Sequence, residues 1–498
     1  PRNGTSDPRW RTVLLSGLGA GGNGYFALDI TDINNPKHLF AIENDTFNKE
    51  VRHWNSDENL NSYFYGWKNN PPTNFDYSKL GASWSTPRII RIKVNGADRW
   101  VAVFGAGYNS GVAPEYGSAI FIMDLENEGM LLKKIDIKDK RNASHSYAFS
   151  VFKGTKEFSM GQYGLHSYNY NNQKLIVAGP GGIDFGISQD ENGGTASNIK
   201  IVLEQELPVN TNFEVTVVNK TDIVNSLPSD LTAITADGTD KANYDGAIIY
   251  ASDLEGKVTK VNLTENFSLN NENMIDKNIS TTTLFDAQAD TNNGRYIYKS
   301  SEATINDDNN LWLYFGTGDT QKLQDNSSNI LNRIYGIKDK DFPNFKIINT
   351  AGTISQCKTA PNCPSSTDLG WYINLKNSQK LTASVTIDND LIHYPVYQPT
   401  TSSNSCTQGD AIYCKADAEC GYKASLGKAC VNLGKGVLSK IVVHKGKLYM
   451  GISGEAKTSG TGFTSKDALI TGTSSSTAKK AGGKIQLEGW REIYEQFD

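Results

Sequence analysis

Short β-rich runs bounded by Gly, Asn and Asp turns recur along this chain, and long helical periodicity is almost absent. One kind of run is apolar and ends in small residues with glycine: LLSGLGAGG, AVFGAGYNSG, IVAGPGG and LYFGTGD. The other kind ends in an acid-led turn: YFALDITD, IFIMDLENEG, IYASDLEG and IYGIKDKD. Alternating apolar positions with β-branched and aromatic residues are typical of strands. The sequence therefore predicts an all-β protein.

The alternation of these two kinds of run is an internal repeat. Glycine lets an inner strand approach a crowded centre, and Asp caps a tight hairpin turn, which together are typical of the blades of a β-propeller. Because the repeats are unevenly spaced, we predict one propeller domain over residues 1–453 with long insertions at about 41–80, 185–225 and 350–435.

The C-terminal end of the chain differs in composition from the repeats. Residues 454–484 are rich in Ser, Thr, Gly, Ala and Lys, so we predict a flexible loop there. Residues 485–498 contain the short amphipathic stretch GWREIYEQF, which we expect to pack on the propeller as a tail.

Composition limits the classes of function. Of the 498 residues, 21% are charged and 38% are hydrophobic, and this is the balance of a folded chain rather than a disordered one. The formal net charge of −5 argues against a nucleic-acid-binding surface. The chain begins with Pro1 and no signal peptide is in view, so we interpret it as an excised fragment whose native targeting segment is missing.

All six cysteines lie in the C-terminal third of the chain, within Gly-, Ser- and Asn-rich sequence. They are Cys357, Cys363, Cys406, Cys414, Cys420 and Cys430. An even number in such sequence favours three disulfides, with fifteen possible pairings, and an oxidising compartment outside the cytoplasm. A zinc site is less favoured because the cysteines form no CxxC pair.

The segment TADGTDKANYDG contains the best candidates for metal ligands. Asp237, Asp240, Asn243 and Asp245 place four oxygen donors within nine positions. Calcium prefers six to eight such hard oxygen ligands. Two interpretations remain open from these residues alone, a calcium loop or an acidic solvated turn.

Two other polar segments favour a turn. In DAQADTNNG, the residues Asp286, Asp290 and Asn292 form a weaker acidic loop. The stretch NDDNN over 306–310 is predicted to be a hairpin turn.

Signals for catalysis are weak. GLGAGG, residues 17–22, fits a dinucleotide fingerprint in letters only, because an Asn-Gly turn and a strand follow it where a helix is required. The six histidines stand apart and the motif G-x-S-x-G is missing. We therefore predict a protein that is not an enzyme; the alternative is a periplasmic oxidoreductase propeller that uses pyrroloquinoline quinone.

Several segments together resemble the C-terminal domain of the PilC/PilY family of type IV pilus proteins. They are RTVLLSGLGAGGNGYFALDITDINNP, WSTPRIIRI with WVAVFGAGYNSG, LWLYFGTGD and AIIYASDLEGKVTKVNL. The resemblance covers most of the chain to about residue 350 and omits the cysteine region. It implies a modified seven-bladed, quinoprotein-like β-propeller with long loop insertions.

The resemblance also implies a function. Members of the family support pilus biogenesis, extension and twitching motility, and act as virulence-associated adhesins at the pilus tip on the bacterial surface. The implied partners are type IV pilins or minor pilins, a host-cell receptor or matrix, and the protein's own N-terminal domain. By position, the family's calcium loop falls on Asp237 to Asp245, although Lys241 interrupts the usual alternation of acids. The cysteine-rich insertion and HSYNYNN, residues 166–172, are candidate contact surfaces.

Overall fold

The computed structural model consists of strands joined by turns and loops, so the all-β fold class is confirmed. It describes residues 11–56, 62–66, 71–109, 116–137, 145–150, 155–159, 168–169, 173–178, 187–189, 195–196, 200–207, 212–219, 225–235, 246–289, 293–306, 308, 310–342, 357–359, 364, 368–376, 378–388, 390–401, 407–421 and 429–474. For the strands between 145 and 219, and for 357–359, the description is of the backbone. A 3-10 helix spans Thr73–Phe75. No helix among these residues has the length and apolar character to cross a membrane.

The first sheet has five antiparallel strands in chain order. They are β1 (Val13–Gly17), β2 (Gly24–Asp29), β3 (Lys37–Asp45), β4 (Glu50–Trp54) and β5 (Ser62–Gly66). The second sheet begins with β6 (Arg88–Val94), β7 (Ala97–Gly105), β8 (Ala119–Asp124) and β9 (Met130–Asp136).

Eight strands follow in three small sheets. They are β10 (His145–Ser150), β11 (Thr155–Ser159), β12 (Tyr168–Asn169), β13 (Gln173–Ala178), β14 (Ile187–Gln189), β15 (Thr195–Ala196), β16 (Lys200–Leu207) and β17 (Asn212–Asn219). Their orders are β10-β17-β13, β11-β16-β14 and β12-β15.

The next two sheets are antiparallel apart from one outer strand, Cys357–Thr359, which pairs in parallel. The first contains β18 (Thr232–Thr235), β19 (Ala247–Ser252), β20 (Lys257–Asn262) and β22 (Thr281–Asp286), while the short β21 (Asn266–Phe267) joins the second sheet beside β6 in a parallel pair. The other has the order β23-β24-β25-β27-β26, with β23 (Glu302–Ile305), β24 (Leu311–Gly316), β25 (Arg333–Asp339), β26 (Cys357–Thr359) and β27 (Gly370–Asn374).

Two further sheets complete the described chain. One is ordered β28-β30-β31-β32, with β29 also paired to β30; its strands are β28 (Lys380–Leu381), β29 (Thr386–Asp388), β30 (Leu391–Gln398), β31 (Asp410–Asp417) and β32 (Cys430–Lys435). The other is ordered β33-β34-β36-β35, with β33 (Val442–His444), β34 (Lys447–Gly451), β35 (Thr464–Lys466) and β36 (Leu469–Thr473).

The chain divides into two compact units. One comprises 1–90, 99–228 and 268–277, and the other 91–98, 229–267 and 278–498. In the first unit, the core is aromatic: Tyr25, Phe40, Tyr77, Phe104 and Phe121 are each at most 1% exposed. Among the described residues of the second unit, three apolar clusters form a core, around Tyr335, Trp371 and Ile470. Uninterrupted apolar runs such as AIFIMD form strands that are buried along their whole length.

Glycines at the strand ends allow backbone to contact backbone, as the repeat predicts. In the first unit, a Cβ added at Gly17 would lie 2.6 Å from the Ser83 carbonyl oxygen, and one at Gly107 would lie 2.0 Å from that of Ala82. Tyr108 and Ala82 exchange backbone hydrogen bonds of 2.8 and 3.0 Å at this contact. Any larger residue at these glycines would push the two backbones apart.

The hairpin interpretation of GLGAGG is confirmed. The Leu18 N–H donates to the Gly24 carbonyl at 3.1 Å, and β1 pairs with β2 directly across this turn.

All four segments predicted to be insertions or loops contribute strands to the sheets. Residues 185–225 contain β14, β15, β16 and β17. Residues 41–80 contain the end of β3 and all of β4 and β5, and residues 350–435 contain the whole sheet around β30. The prediction of a flexible loop over 454–484 needs correction, because residues 464–473 form the hairpin of β35 and β36. Ile470 is fully buried there, so one apolar anchor outweighs the loop-like composition. Residues 475–498, including the predicted tail, lie outside the described residues.

One of the predicted disulfides is confirmed. Cys414 of β31 is bonded to Cys430 of β32, and these residues are also paired across the two strands. Cys420 is disulfide-bonded as well. Cys363 and Cys406 lie outside the described residues, so the predicted total of three stays a prediction.

Replacing Gly107 by alanine tests the backbone contact. Gly107 combines a φ of +89° with the 2.0 Å clash, so we expect G107A to lower the free energy of unfolding by about 3 kcal/mol or more. Gly96 is a matched control, because its φ is +79° but no atom lies within 4 Å of an added Cβ. G96A should cost only about 1 kcal/mol in urea denaturation. Equal costs for the two variants would contradict the contact.

Candidate functional site

The residues on either side of the predicted metal ligands are described. Asp237, Asp240, Asn243 and Asp245 themselves lie outside the described residues. Strands β18 and β19 flank the loop and pair antiparallel, with Thr235 opposite Ala247 as the last pair. Because paired residues lie about 5 Å apart across an antiparallel ladder, the two residues that bound this segment, Thr235 and Ala247, lie close together.

Gly246 fixes the path by which this loop enters β19. Its φ is +77°, and its N–H donates to the Arg91 carbonyl oxygen at 2.6 Å. A Cβ at this position would lie 2.1 Å from the Leu263 carbonyl oxygen. Both the conformation and the space require glycine here. The C-terminal end of the loop is therefore held in one position.

A buried ion pair fixes strands β19 and β20, which follow the loop in the chain. The Lys260 Nζ lies 2.6 Å from Asp339 Oδ2, and each side chain is at most 2% exposed. The Tyr250 hydroxyl donates to the same oxygen at 2.6 Å. Burial, and then the neighbouring Asp339 charge, raise the pKa of Tyr250 well above its ordinary value, so the hydroxyl keeps its proton. This contact joins β19 and β20 to the end of β25.

The acid-led turn DLEG closes the far end of the same hairpin. Asp253 Oδ1 accepts the Lys257 N–H at 2.9 Å, and the Lys257 Nζ lies 2.5 Å from Glu255 Oε2. Asp253 and Glu255 are at most 1% exposed. The predicted role of Asp as the cap of hairpin turns is therefore confirmed at this repeat.

The other polar segments behave as turns where they are described. Asp286 Oδ1 accepts the Gln288 N–H at 2.6 Å, while Asp290 and Asn292 lie outside the described residues. The hairpin turn predicted at NDDNN is confirmed, since Asn306 and Asn310 are hydrogen-bonded to each other. Among the described residues, no group of three His, Cys, Asp or Glu side chains is arranged to hold a metal ion. In HSYNYNN, only the backbone of Tyr168–Asn169 is described.

Two histidines are buried core residues. His53 Nε2 lies 2.9 Å from the Glu128 carbonyl oxygen, and His393 Nδ1 lies 2.7 Å from the Tyr413 hydroxyl. His393 is fully buried, and its Nε2 makes no hydrogen bond to a described residue. Burial lowers the pKa of His393 to about 4. The ring is therefore neutral at pH 7. Nothing in the sequence around His393 indicates its contact with Tyr413.

These sheets define an all-β protein of blade-like antiparallel meanders, and the comparisons place it among known proteins. Residues 3–150 match the family model described as the PilY1 beta-propeller domain. The chain is 29% identical over 139 residues to the type IV pilus biogenesis factor PilY1 of Pseudomonas aeruginosa strain UCBPP-PA14, covering 28% of this chain and 9% of that protein. It is 23% identical over 442 residues to the PilY1 homolog of Xylella fastidiosa strain Temecula1, covering 84% of this chain and 22% of that protein.

A solved structure also resembles the chain. The crystal structure of the Pseudomonas aeruginosa PilY1 C-terminal domain matches with a TM-score of 0.47 and 16% identity, over 90% of this chain and 80% of that one. The family model and the curated relatives show that the chain is similar to PilY1 proteins, and that the similarity includes their β-propeller domain. The chain spans less than a quarter of the length of these two curated relatives.

Substitution of Lys260 tests the buried contact that Lys260 and Tyr250 make with Asp339. Lys260→Met leaves the Asp339 carboxylate buried without its cation, which we expect to cost about 3–5 kcal/mol of unfolding free energy in urea denaturation. The double variant Lys260→Met/Asp339→Leu should recover most of that loss. Lys435→Met, at the more exposed pair with Asp410, should cost less than about 1 kcal/mol. A cost below about 1 kcal/mol for Lys260→Met would contradict a stabilising role for this buried contact.

Burial of His393 predicts sensitivity to acid. Its folded pKa of about 4 lies below the ordinary value of 6.5, so the unfolded state binds the proton first as the pH falls. We expect this group to remove roughly 3 kcal/mol of stability between pH 6.5 and 4. His393→Gln should flatten that part of the pH profile in urea denaturation. An unchanged slope in the variant would show that other groups cause the acid sensitivity.

Proposed function

We propose that this chain is the propeller domain of a type IV pilus biogenesis factor and tip adhesin. The observation that carries the proposal is the match of residues 3–150 to the PilY1 beta-propeller domain. It is supported by the 23% identity that extends over 84% of the chain to a PilY1 homolog. In this role the rigid sheets act as a scaffold, and the loops between them provide the contact surfaces. No chemical step on a substrate is required.

The loop over residues 236–246 fits a calcium ion by its donor chemistry. Asp237, Asp240 and Asp245 supply carboxylates and Asn243 an amide oxygen, which are the ligand types that calcium prefers. The paired ends of the loop reduce the entropy lost when such ligands are gathered around an ion. When bound, calcium would neutralise carboxylates that otherwise repel one another.

We therefore propose that calcium selects one conformation of this loop and so modulates pilus extension, twitching motility and adherence. Pilins or minor pilins and a host-cell receptor or matrix are the proposed partners, together with the N-terminal part of the full-length protein. The proposed location is the bacterial surface or pilus tip, reached through the periplasm. The disulfide between Cys414 and Cys430 supports an oxidising compartment of this kind.

Calcium titration by calorimetry tests the loop directly. We expect the chain to bind one calcium ion at micromolar to low millimolar concentration, and Asp245→Ala to weaken binding at least about tenfold because one carboxylate is lost. Asp286→Ala is a matched control, since Asp286 caps a turn in another hairpin. Equal affinity in the Asp245→Ala variant, or no binding by the wild type, would contradict the calcium proposal and leave the pilus role to the next test.

Deletion in the bacterium that encodes the protein tests the pilus role. Removal of residues 11–474 from the full-length protein should abolish surface pili and twitching, measured by pilin shearing and by the twitching zone. A strain carrying Asp286→Ala should remain normal. Normal piliation and twitching in the deletion strain would contradict the proposed role.

A further inference from the structure

In the described part of the chain, the outermost strand of the first sheet pairs on one side only. Strand β5, Ser62–Gly66, lies at the end of the order β1-β2-β3-β4-β5, and no described strand pairs with it on the side away from β4. It pairs with β4 through five consecutive residues without a bulge, from Trp54 opposite Ser62 to Glu50 opposite Gly66. An edge with such a regular register presents a row of backbone N–H and C=O groups to another strand.

This edge lacks the protection that exposed strands commonly carry. Its sequence, SYFYG, contains no charged residue and no proline. Tyr63 and Phe64 are 40% and 55% exposed. The second sheet shows the contrast, because its outer strand β9 carries Lys133 and Lys134 at consecutive positions. Strand β5 therefore has no charged side chain of its own that would keep another strand from pairing with it.

Both faces of the strand present aromatic rings that are already held in place. On one face, Tyr63 and Tyr65 are nearly parallel at 6.2 Å, and Tyr65 stacks on Phe75. On the other face, Phe64 contacts the Arg52 guanidinium at 5.6 Å and the edge of Trp54. Rings held in this way lose little side-chain freedom when they meet an incoming strand.

The face that carries Phe64 is also negatively charged. Arg52 lies 2.5 Å from Asp45, 2.8 Å from Glu50 and 3.5 Å from Glu43, so one guanidinium faces three carboxylates. Even with Lys49 of the adjoining turn counted, an excess of negative charge remains. An added strand would alternate its side chains between this acidic face and the face of Tyr63 and Tyr65.

We propose that β5 binds an extended peptide segment in which apolar residues alternate with Lys or Arg. The backbone ladder would supply the affinity, the tyrosine face would take the apolar residues, and the carboxylate face would take the basic ones. Pairing of two β5 edges is disfavoured because it would bring two acidic patches together. This site is separate from the calcium loop and does not depend on it.

A labelled peptide, acetyl-KVKVKVK-amide, tests the proposal with the whole chain. We expect saturable binding by fluorescence anisotropy, at least about tenfold tighter than that of acetyl-EVEVEVE-amide. Phe64→Lys should weaken binding at least about tenfold, because the new lysine has the same charge as the basic peptide and would repel it. Ile33→Lys is the matched control, since Ile33 is an exposed apolar residue away from the edge, and its binding should be unchanged.

Hydrogen exchange on the wild type identifies the binding surface without any substitution. The basic peptide should slow exchange at the amides of residues 62–66. Binding without this protection, or equal loss in Phe64→Lys and Ile33→Lys, would overturn the proposal. The absence of binding at millimolar peptide, or protection of residues 62–66 by a dimer of the chain itself, would overturn it as well.

Discussion

Direct contact between backbones at the glycine strand ends is the constraint on which the rest of the structure depends. At Gly17 and Gly107, the space that a Cβ would need is occupied by a carbonyl oxygen of a neighbouring segment. The backbones therefore come close enough to exchange hydrogen bonds, as Ala82 and Tyr108 do. These contacts fix the backbone at the end of β1 and just after the end of β7.

The proposed functional features use this rigidity in different ways. The candidate calcium loop begins and ends on a paired hairpin whose strands are fastened by Lys260, Asp339 and Tyr250. Binding of an ion there would order the loop and leave the frame unchanged. Strand β5 uses the frame as a template, because its ladder with β4 already sets the direction and register for another strand. In each case, the sheet holds the backbone in place, and the side chains of the exposed segment would bind the ion or the peptide.

The features that the sequence predicts correctly are local. Apolar runs such as AIFIMD, glycines at strand ends and Asp at hairpin turns each have a physical reason that acts within a few residues. The features that it does not predict depend on distant partners. Tyr250 and Asp339 are 89 positions apart, and nothing near either residue indicates their hydrogen bond. In the hairpin of β35 and β36, loop-like composition conceals the one buried anchor, Ile470. The four metal ligands stay predictions, since they lie outside the described residues.

Hydrogen–deuterium exchange of the hairpin over residues 232–252, with and without calcium, tests the central claim most directly. If calcium orders a loop on a rigid frame, amides of residues 236–246 gain protection, while Thr232–Thr235 and Ala247–Ser252 are protected under both conditions. If the strands themselves become protected only with calcium, the ion is needed to fold the frame. If exchange in the loop does not change, calcium does not order it; either result contradicts the account.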